Sequence, residues 1–150
     1  MIVAAVPVKD LANAKQRLVR VLDAAERRAL ARAMLADVLR ALGGAGLDRV
    51  WVVTREPEVA VLARALGAEP LAEVENRGHT AAVAAAQVEA TRAGAEAFLT
   101  IPGDVPCITA AEIRTLVGAG ATPPAAVFTP SRSGLGTNGV LLRPPAVMPL

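Results

Sequence analysis

Lys9, Lys15 and Arg17 stand close together, directly after the short apolar run Ile2 to Val6. Cations gathered at the end of such a run suit an anion, lysine acting as a point charge and arginine as a planar fork that grips two oxygens at once. A polyphosphate would use all three. The same spacing also fits a solvated loop running into a helix, so the cations alone leave both readings open. A second loop, Gly103-Asp104-Val105-Pro106, follows another apolar run, Ala97 to Ile101. Asp, Gly and Pro mark turns for local backbone reasons. A carboxylate there could also hold Mg²⁺, which takes one or two carboxylates and completes its shell with phosphate oxygens and water. The third loop is Ser131-Arg132-Ser133-Gly134-Leu135-Gly136-Thr137-Asn138-Gly139. Its residues suit a hairpin, and equally a loop whose backbone N–H groups and hydroxyls approach a phosphate or carboxylate, with Asn138 as a neutral oxygen ligand.

Positioning these groups requires elements that end at one edge. The sequence alternates short β-rich runs with longer helical ones. Strands are expected at Ile2 to Val6, Val50 to Val53, Ala97 to Ile101, Ala126 to Thr129 and Gly139 to Leu142. Asp23 with Glu26 forms a capping-box pattern, and Leu30, Met34 and Val38 then repeat at helical spacing until Gly43-Gly44. Pro57 suits a first helical turn, Val59, Leu62 and Leu66 continue a stripe, and Gly67 is a stop signal. A third helix is expected over about 80–93, and a fourth behind Thr109 and Glu112. Strands joined by helices of this length pair in parallel through crossovers, which predicts one α/β domain, three-layered α/β/α, around a mostly parallel sheet. In such sheets ligands bind beyond the carboxyl ends of the strands, where all three loops fall.

Composition narrows the function. The chain has 150 residues, 53% of them hydrophobic but only 2% aromatic, so its core is built from Ala, Val and Leu. The net charge of +2 is interspersed rather than blocked, which argues against nucleic-acid binding. The single cysteine, Cys107, excludes an internal disulfide and a cysteine zinc cluster and fits a reducing cytoplasm; it reads as a buried or half-buried filler. Trp51, between Val50 and Val52, reads as packing. No signal-peptide pattern opens the chain, and no apolar run reaches the roughly 18 residues of a membrane span. A soluble cytoplasmic protein is expected. The first loop carries neither Gly-x-x-x-x-Gly-Lys-Ser/Thr nor Gly-x-Gly-x-x-Gly, so neither a P-loop NTPase nor a dinucleotide-binding Rossmann domain is supported.

Several stretches taken together resemble one family. They are Val6-Pro7-Val8-Lys9, Ala14-Lys15-Gln16-Arg17-Leu18, Asp23-Ala24-Ala25-Glu26-Arg27, Gly103-Asp104-Val105-Pro106, and Gly136-Thr137-Asn138 with Leu141-Leu142-Arg143-Pro144-Pro145. Their combination is similar to the 2-phospholactate guanylyltransferases of coenzyme F420 biosynthesis. The resemblance implies a glycosyltransferase-A-like nucleotidyltransferase fold and Mg²⁺-dependent transfer of GMP from GTP to a small phosphorylated acid: 2-phospho-L-lactate, phosphoenolpyruvate or 3-phospho-D-glycerate. It implies a triphosphate cradle from Pro7 and Val8 through Lys9 to Lys15 and Arg17, with Gly78 beside the nucleotide. Lys15, Arg17 and Asp104 would be catalytic, Asp104 holding the metal. Gly136, Thr137, Asn138, Arg77 and His79 would face the acceptor. Two departures stand out. Where the family has a Gly-Leu-Asn-like turn this chain has Glu75-Asn76-Arg77-Gly78-His79-Thr80, which suits a different acceptor such as 3-phospho-D-glycerate. Family members also continue past the equivalent of Leu150 into a Gly-x-x-Ser loop; were this chain the whole protein, acceptor binding would be incomplete or supplied by a partner subunit, as in a homodimer. Rival readings are a non-catalytic nucleotide-binding module and a molybdopterin guanylyl- or cytidylyltransferase.

Overall fold

The computed structural model describes residues 1–9, 11, 18–73, 78–134 and 136–150. Along the chain run β1 (Ile2–Pro7), α1 (Ala24–Gly43), β2 (Arg49–Thr54), α2 (Pro57–Ala65), β3 (Glu69–Ala72), α3 (His79–Arg92), β4 (Ala97–Thr100), α4 (Ala110–Ala119), β5 (Ala125–Pro130) and β6 (Thr137–Arg143). The strands form one sheet in the order β3-β2-β1-β4-β6-β5. β1 lies parallel to β2 and β4, and β2 parallel to β3. β6 runs antiparallel to both β4 and β5, because the short loop after β5 turns the chain straight back. The expected mostly parallel sheet is therefore present with one reversed strand.

Local chemistry explains the boundaries. Both expected capping boxes form: the Asp23 carboxylate accepts the Glu26 N–H while Glu26 accepts the Asp23 N–H, and Thr109 and Glu112 do the same for α4. Pro57 opens α2, and Gly67, at φ 81°, turns the chain out of it. β3 has no counterpart among the expected strands. It is a four-residue edge strand containing Pro70, too short to show alternation, and proline is tolerated there because an edge N–H has no ladder partner to lose.

Two apolar layers sandwich the sheet. On one face Leu35, Val38, Leu39 and Leu42 of α1, Val59 and Leu62 of α2 and Ile113 of α4 pack on Ala4, Val6, Val52, Leu99 and Leu141. The buried stripe of α1 is thus centred one residue beyond the expected Leu30 and Met34, which are only half-buried. On the other face α3 is the one helix among the described residues, with Val147, Met148 and Leu150 packed beside it. Its Ala82, Ala86 and Ala90 let the helix sit low over Trp51, Phe98 and Leu142, so Trp51 is indeed packing. Cys107, by contrast, is exposed: Val105 and Ile108 turn inward, their backbones joined at 3.1 Å, and Cys107 faces out between them. No helix among the described residues is long and apolar enough to cross a membrane.

This topology fixes where a ligand can sit. From β1 the chain moves outward to β2 and β3 beneath α1 and α2, then crosses back over the opposite face through α3 to β4. The strand order reverses between β1 and β4, and their carboxyl ends part into a crevice.

Candidate active site

At that crevice β1 delivers Pro7, Val8 and Lys9. Pro7 is buried as the last strand residue, and the Val8 N–H is spent on the Val53 carbonyl at 2.9 Å, so the exposed Lys9 ammonium is the group left to face a ligand. Beyond it Leu11 is buried, its N–H donating to Glu56 Oε1 at 2.8 Å. Glu56 is held in turn through its own N–H on Thr54 Oγ1 at 3.0 Å. Leu11 is therefore tied to the turn between β2 and α2. Lys15, Arg17 and Arg77 lie outside the described residues.

Gly78 caps α3 with φ 96° and ψ −179°, a backbone region open in practice only to glycine. A Cβ placed there would lie 3.9 Å from Lys9 Nζ, so ammonium and helix start are neighbours. Among the described residues no side chain caps α3. A helix N-terminus carries roughly half a positive charge. Setting a lysine beside it is unfavourable unless an anion lies between them, and backbone donors at a helix start are shaped for phosphate oxygens.

β4 delivers the carboxylate. Gly103 lets the turn lie flat against the end of β1 and α1, where a Cβ would already touch Leu35 Cδ1 at 3.4 Å and Val6 Cγ1 at 3.5 Å. That close seat carries Asp104 out to the crevice, exposed. Both Lys9 and Asp104 are felt by His79, the first residue of α3. Partial burial holds its imidazole below the usual pKa of 6.5, Lys9 pushes the same way, and Asp104 opposes them. His79 is accordingly neutral at pH 7.

The donor set also bears on a metal. Among the described residues no three His, Cys, Asp or Glu side chains gather as a ligand cluster. An exposed carboxylate such as Asp104 does not by itself make a zinc centre, but its chemistry fits Mg²⁺, which takes most of its shell from substrate phosphates and water.

The third loop divides the residues grouped with it. Gly136 donates its N–H to Ser131 Oγ at 3.0 Å and its carbonyl accepts the Ser131 N–H at 2.8 Å, so its backbone closes the hairpin rather than facing a ligand. The β5–β6 register shifts beyond Thr129, which pairs with Gly139 while Pro130 pairs with Thr137, leaving Asn138 as the extra residue. A bulge of this kind re-aims the side chains around it. Thr137 consequently lines a cavity of about 150 Å³ with His79, Thr80 and Thr100 on the α3 side of the sheet. Asn138 lines a separate groove on the α4 side, with Pro106 and Glu112. The structure brings Lys9, Gly78, His79, Asp104 and Thr137 to one edge and turns Asn138 away. Thr80 and Thr100, which the sequence did not single out, join them; a threonine in a short strand or on a helix carries no motif to mark it.

Comparison with known proteins supplies the family. The model described as "Guanylyl transferase CofC like" matches residues 2–150. The phosphoenolpyruvate guanylyltransferase of Rubrobacter xylanophilus is 44% identical over 146 residues, covering 97% of this chain and 71% of that protein. Its counterpart in Conexibacter woesei is 41% identical over 144 residues, covering 95% of this chain but only 65% of the relative's length. Among solved structures, a protein assigned as a nucleotide-diphospho-sugar transferase from Desulfovibrio desulfuricans G20 superposes with a TM-score of 0.79 over 99% of this chain and 65% of that one; at 17% identity this is a likeness of fold. A match from residue 2 to residue 150, relatives above 40% identity and the nucleotidyltransferase sheet all agree: the chain belongs to the CofC-like guanylyl transferase family.

Proposed function

We propose that the chain transfers GMP from GTP to phosphoenolpyruvate or a close three-carbon relative, releasing pyrophosphate, in the cytoplasm and toward coenzyme F420. The observation that carries this reading is the meeting of the Lys9 ammonium with the uncapped start of α3 at Gly78, across the crevice from Asp104. The names of the relatives supply guanine and the acceptor class.

The chemistry asks little of a general base. An acceptor phosphate is ionised at neutral pH, its second pKa lying near 6. One of its oxygens forms a bond to the α-phosphorus of GTP as the bond from that phosphorus to the α–β bridging oxygen breaks, and the electron pair leaves on pyrophosphate. No proton has to move, which fits a site whose histidine, His79, is held neutral. The task of the residues is alignment of two polyanions and compensation of charge. Lys9 and the first N–H groups of α3 would hold phosphate oxygens, with Lys15 and Arg17 closing the cradle. Asp104 would hold Mg²⁺, which supplies charge neutralisation at the phosphates when bound.

The test is pyrophosphate release with GTP, Mg²⁺ and, separately, phosphoenolpyruvate, 2-phospho-L-lactate and 3-phospho-D-glycerate. Release with phosphoenolpyruvate is expected. Retained GTP binding with no release for any acid would show a non-catalytic nucleotide-binding module instead, and release only with molybdopterin would reassign the acceptor.

A further inference from the structure

Glu56 stands where another residue would serve its helix better. It is the N-cap of α2, extended at φ −91° and ψ 123°, yet its carboxylate makes no capping hydrogen bond. Ser, Thr, Asp and Asn are preferred at an N-cap because their side-chain oxygens satisfy the first unbonded N–H groups of the helix. Glu56 reaches the other way. Its Oε1 accepts the Leu11 N–H at 2.8 Å, and its Oε2 lies 3.6 Å from the Arg28 guanidinium of α1. The backbone beneath it is fixed by its own N–H on Oγ1 of the buried Thr54, at 3.0 Å. Leu11 packs in the core beneath α1 and α2, so its N–H needs a partner inside the protein, and a buried N–H without one destabilises a fold. Glu56 is that partner.

We propose that Glu56 is a positioning residue for nucleotide binding, acting through Leu11 to hold the Lys9 backbone where its ammonium meets the start of α3. The inference rests on the guanylyl-transfer reading, which makes Lys9 a phosphate ligand, and adds the residue that keeps it in place. Two ties flank Lys9. On one side the Val8 N–H donates to the Val53 carbonyl at 2.9 Å, and on the other the Leu11 N–H donates to Glu56. Both acceptors belong to the end of β2 and the turn beyond it, so that end sets the path of the chain through Lys9. A lysine side chain is a flexible four-carbon stem, and a fixed backbone decides what its ammonium can reach. Here it reaches the Gly78 turn, Nζ lying 3.9 Å from where a Cβ would stand. A carboxylate suits the second tie because a hydrogen bond to a charged acceptor is stronger than one to a neutral oxygen. The helix cap is forgone and the ligand-bearing backbone is held instead.

Calorimetric titration of GTP with Mg²⁺, run beside pyrophosphate release and thermal unfolding, tests this on Glu56→Ser, Glu56→Gln and Glu58→Gln. Serine can cap α2 but cannot reach Leu11, so Glu56→Ser should fold as the parent does while its Kd and KM for GTP rise roughly tenfold, the scale of one hydrogen bond to a charged group. Its kcat at saturating GTP should change far less, the pattern of lost binding rather than lost chemistry. Glu56→Gln keeps an oxygen for the Leu11 N–H and should recover most of the loss. Glu58→Gln removes the charge that Arg28 and Arg32 pair with at the same junction, but leaves Leu11 alone, and should bind GTP as the parent does. Equal GTP affinity in Glu56→Ser and the parent overturns the assignment, as does an equal loss in Glu58→Gln, which would trace the effect to the junction at large. If the parent binds GTP but never releases pyrophosphate, while Glu56→Ser still loses that binding, the guanylyl-transfer reading fails and the positioning role stands.

Discussion

Asp104 acts with Lys9 on His79 at the start of α3, and its value depends on charge rather than shape. Asp104→Asn keeps the volume and removes the negative charge. Turnover should fall by at least about a hundredfold, the scale seen when one electrostatic contact to a reacting group is lost, while the melting temperature of an exposed loop variant stays within a degree or so. Unchanged kcat would remove Asp104 from the metal site. His79 gives a pH signature whose sign follows from its environment. Because burial and Lys9 lower its pKa, the imidazole is neutral at pH 7 and gains its proton only as pH falls below the usual value of 6.5. The new cation would sit beside Lys9, facing the same phosphates. GTP affinity should therefore rise on acidification below that value, beyond any change in the parent's other groups, and the extra rise should vanish in His79→Asn. A titration of GTP binding between pH 5 and 8 on both proteins decides it, and parallel curves would place His79 away from the triphosphate.

At the scale of elements, the site depends on how three of them end. α3 starts from a glycine whose backbone no other residue adopts without strain, so Gly78→Ala should cost about 1–3 kcal/mol of stability and displace the helix start from Lys9, raising the KM for GTP. Thermal unfolding together with a GTP titration checks both; an unshifted KM would show that Lys9 and the helix start act independently. Sequence reading reached these ends unevenly, for physical reasons. The loops after β1 and β4 were legible because an apolar run followed by charged or turn residues has a local signature, and the two capping boxes are complete within four residues each. The partition of Thr137 from Asn138 was not, since it follows from a register shift against β5 that no short stretch of β6 encodes. Thr100 was hidden in the same way: it is buried with its hydroxyl unpaired only once β4 is seated between β1 and β6. The one-residue offset of the α1 stripe has a similar origin, because both faces of that helix carry leucine or alanine and the sheet chooses between them.

Taken whole, the molecule places its ligands at one edge of a sheet covered on both faces, so binding and folding must be linked. The three helices α1, α2 and α4 pack on one face and α3 on the other, and the crevice opens at the carboxyl ends of β1 and β4, beside the start of α3. A nucleotide gripping Lys9, the α3 start and Asp104 would tie the two layers together at a point where the sheet supplies no covalent connection. It binds the folded state alone, so GTP with Mg²⁺ at about a hundred times its Kd should add about 2.7 kcal/mol. For a domain of this size that corresponds to a rise in Tm of roughly 5–10 °C. Trp51 offers the probe. It is the single tryptophan, 2% exposed under α3 with Val3, Ala86 and Phe98, and its emission will shift red when that layer opens. Melting followed by Trp51 fluorescence should move upward with GTP and Mg²⁺, and less in Asp104→Asn, where the link through the metal is cut. If the α3 layer melts at the same temperature with and without saturating nucleotide, the triphosphate is not bound against α3, and the contact between Lys9 and Gly78 has another purpose.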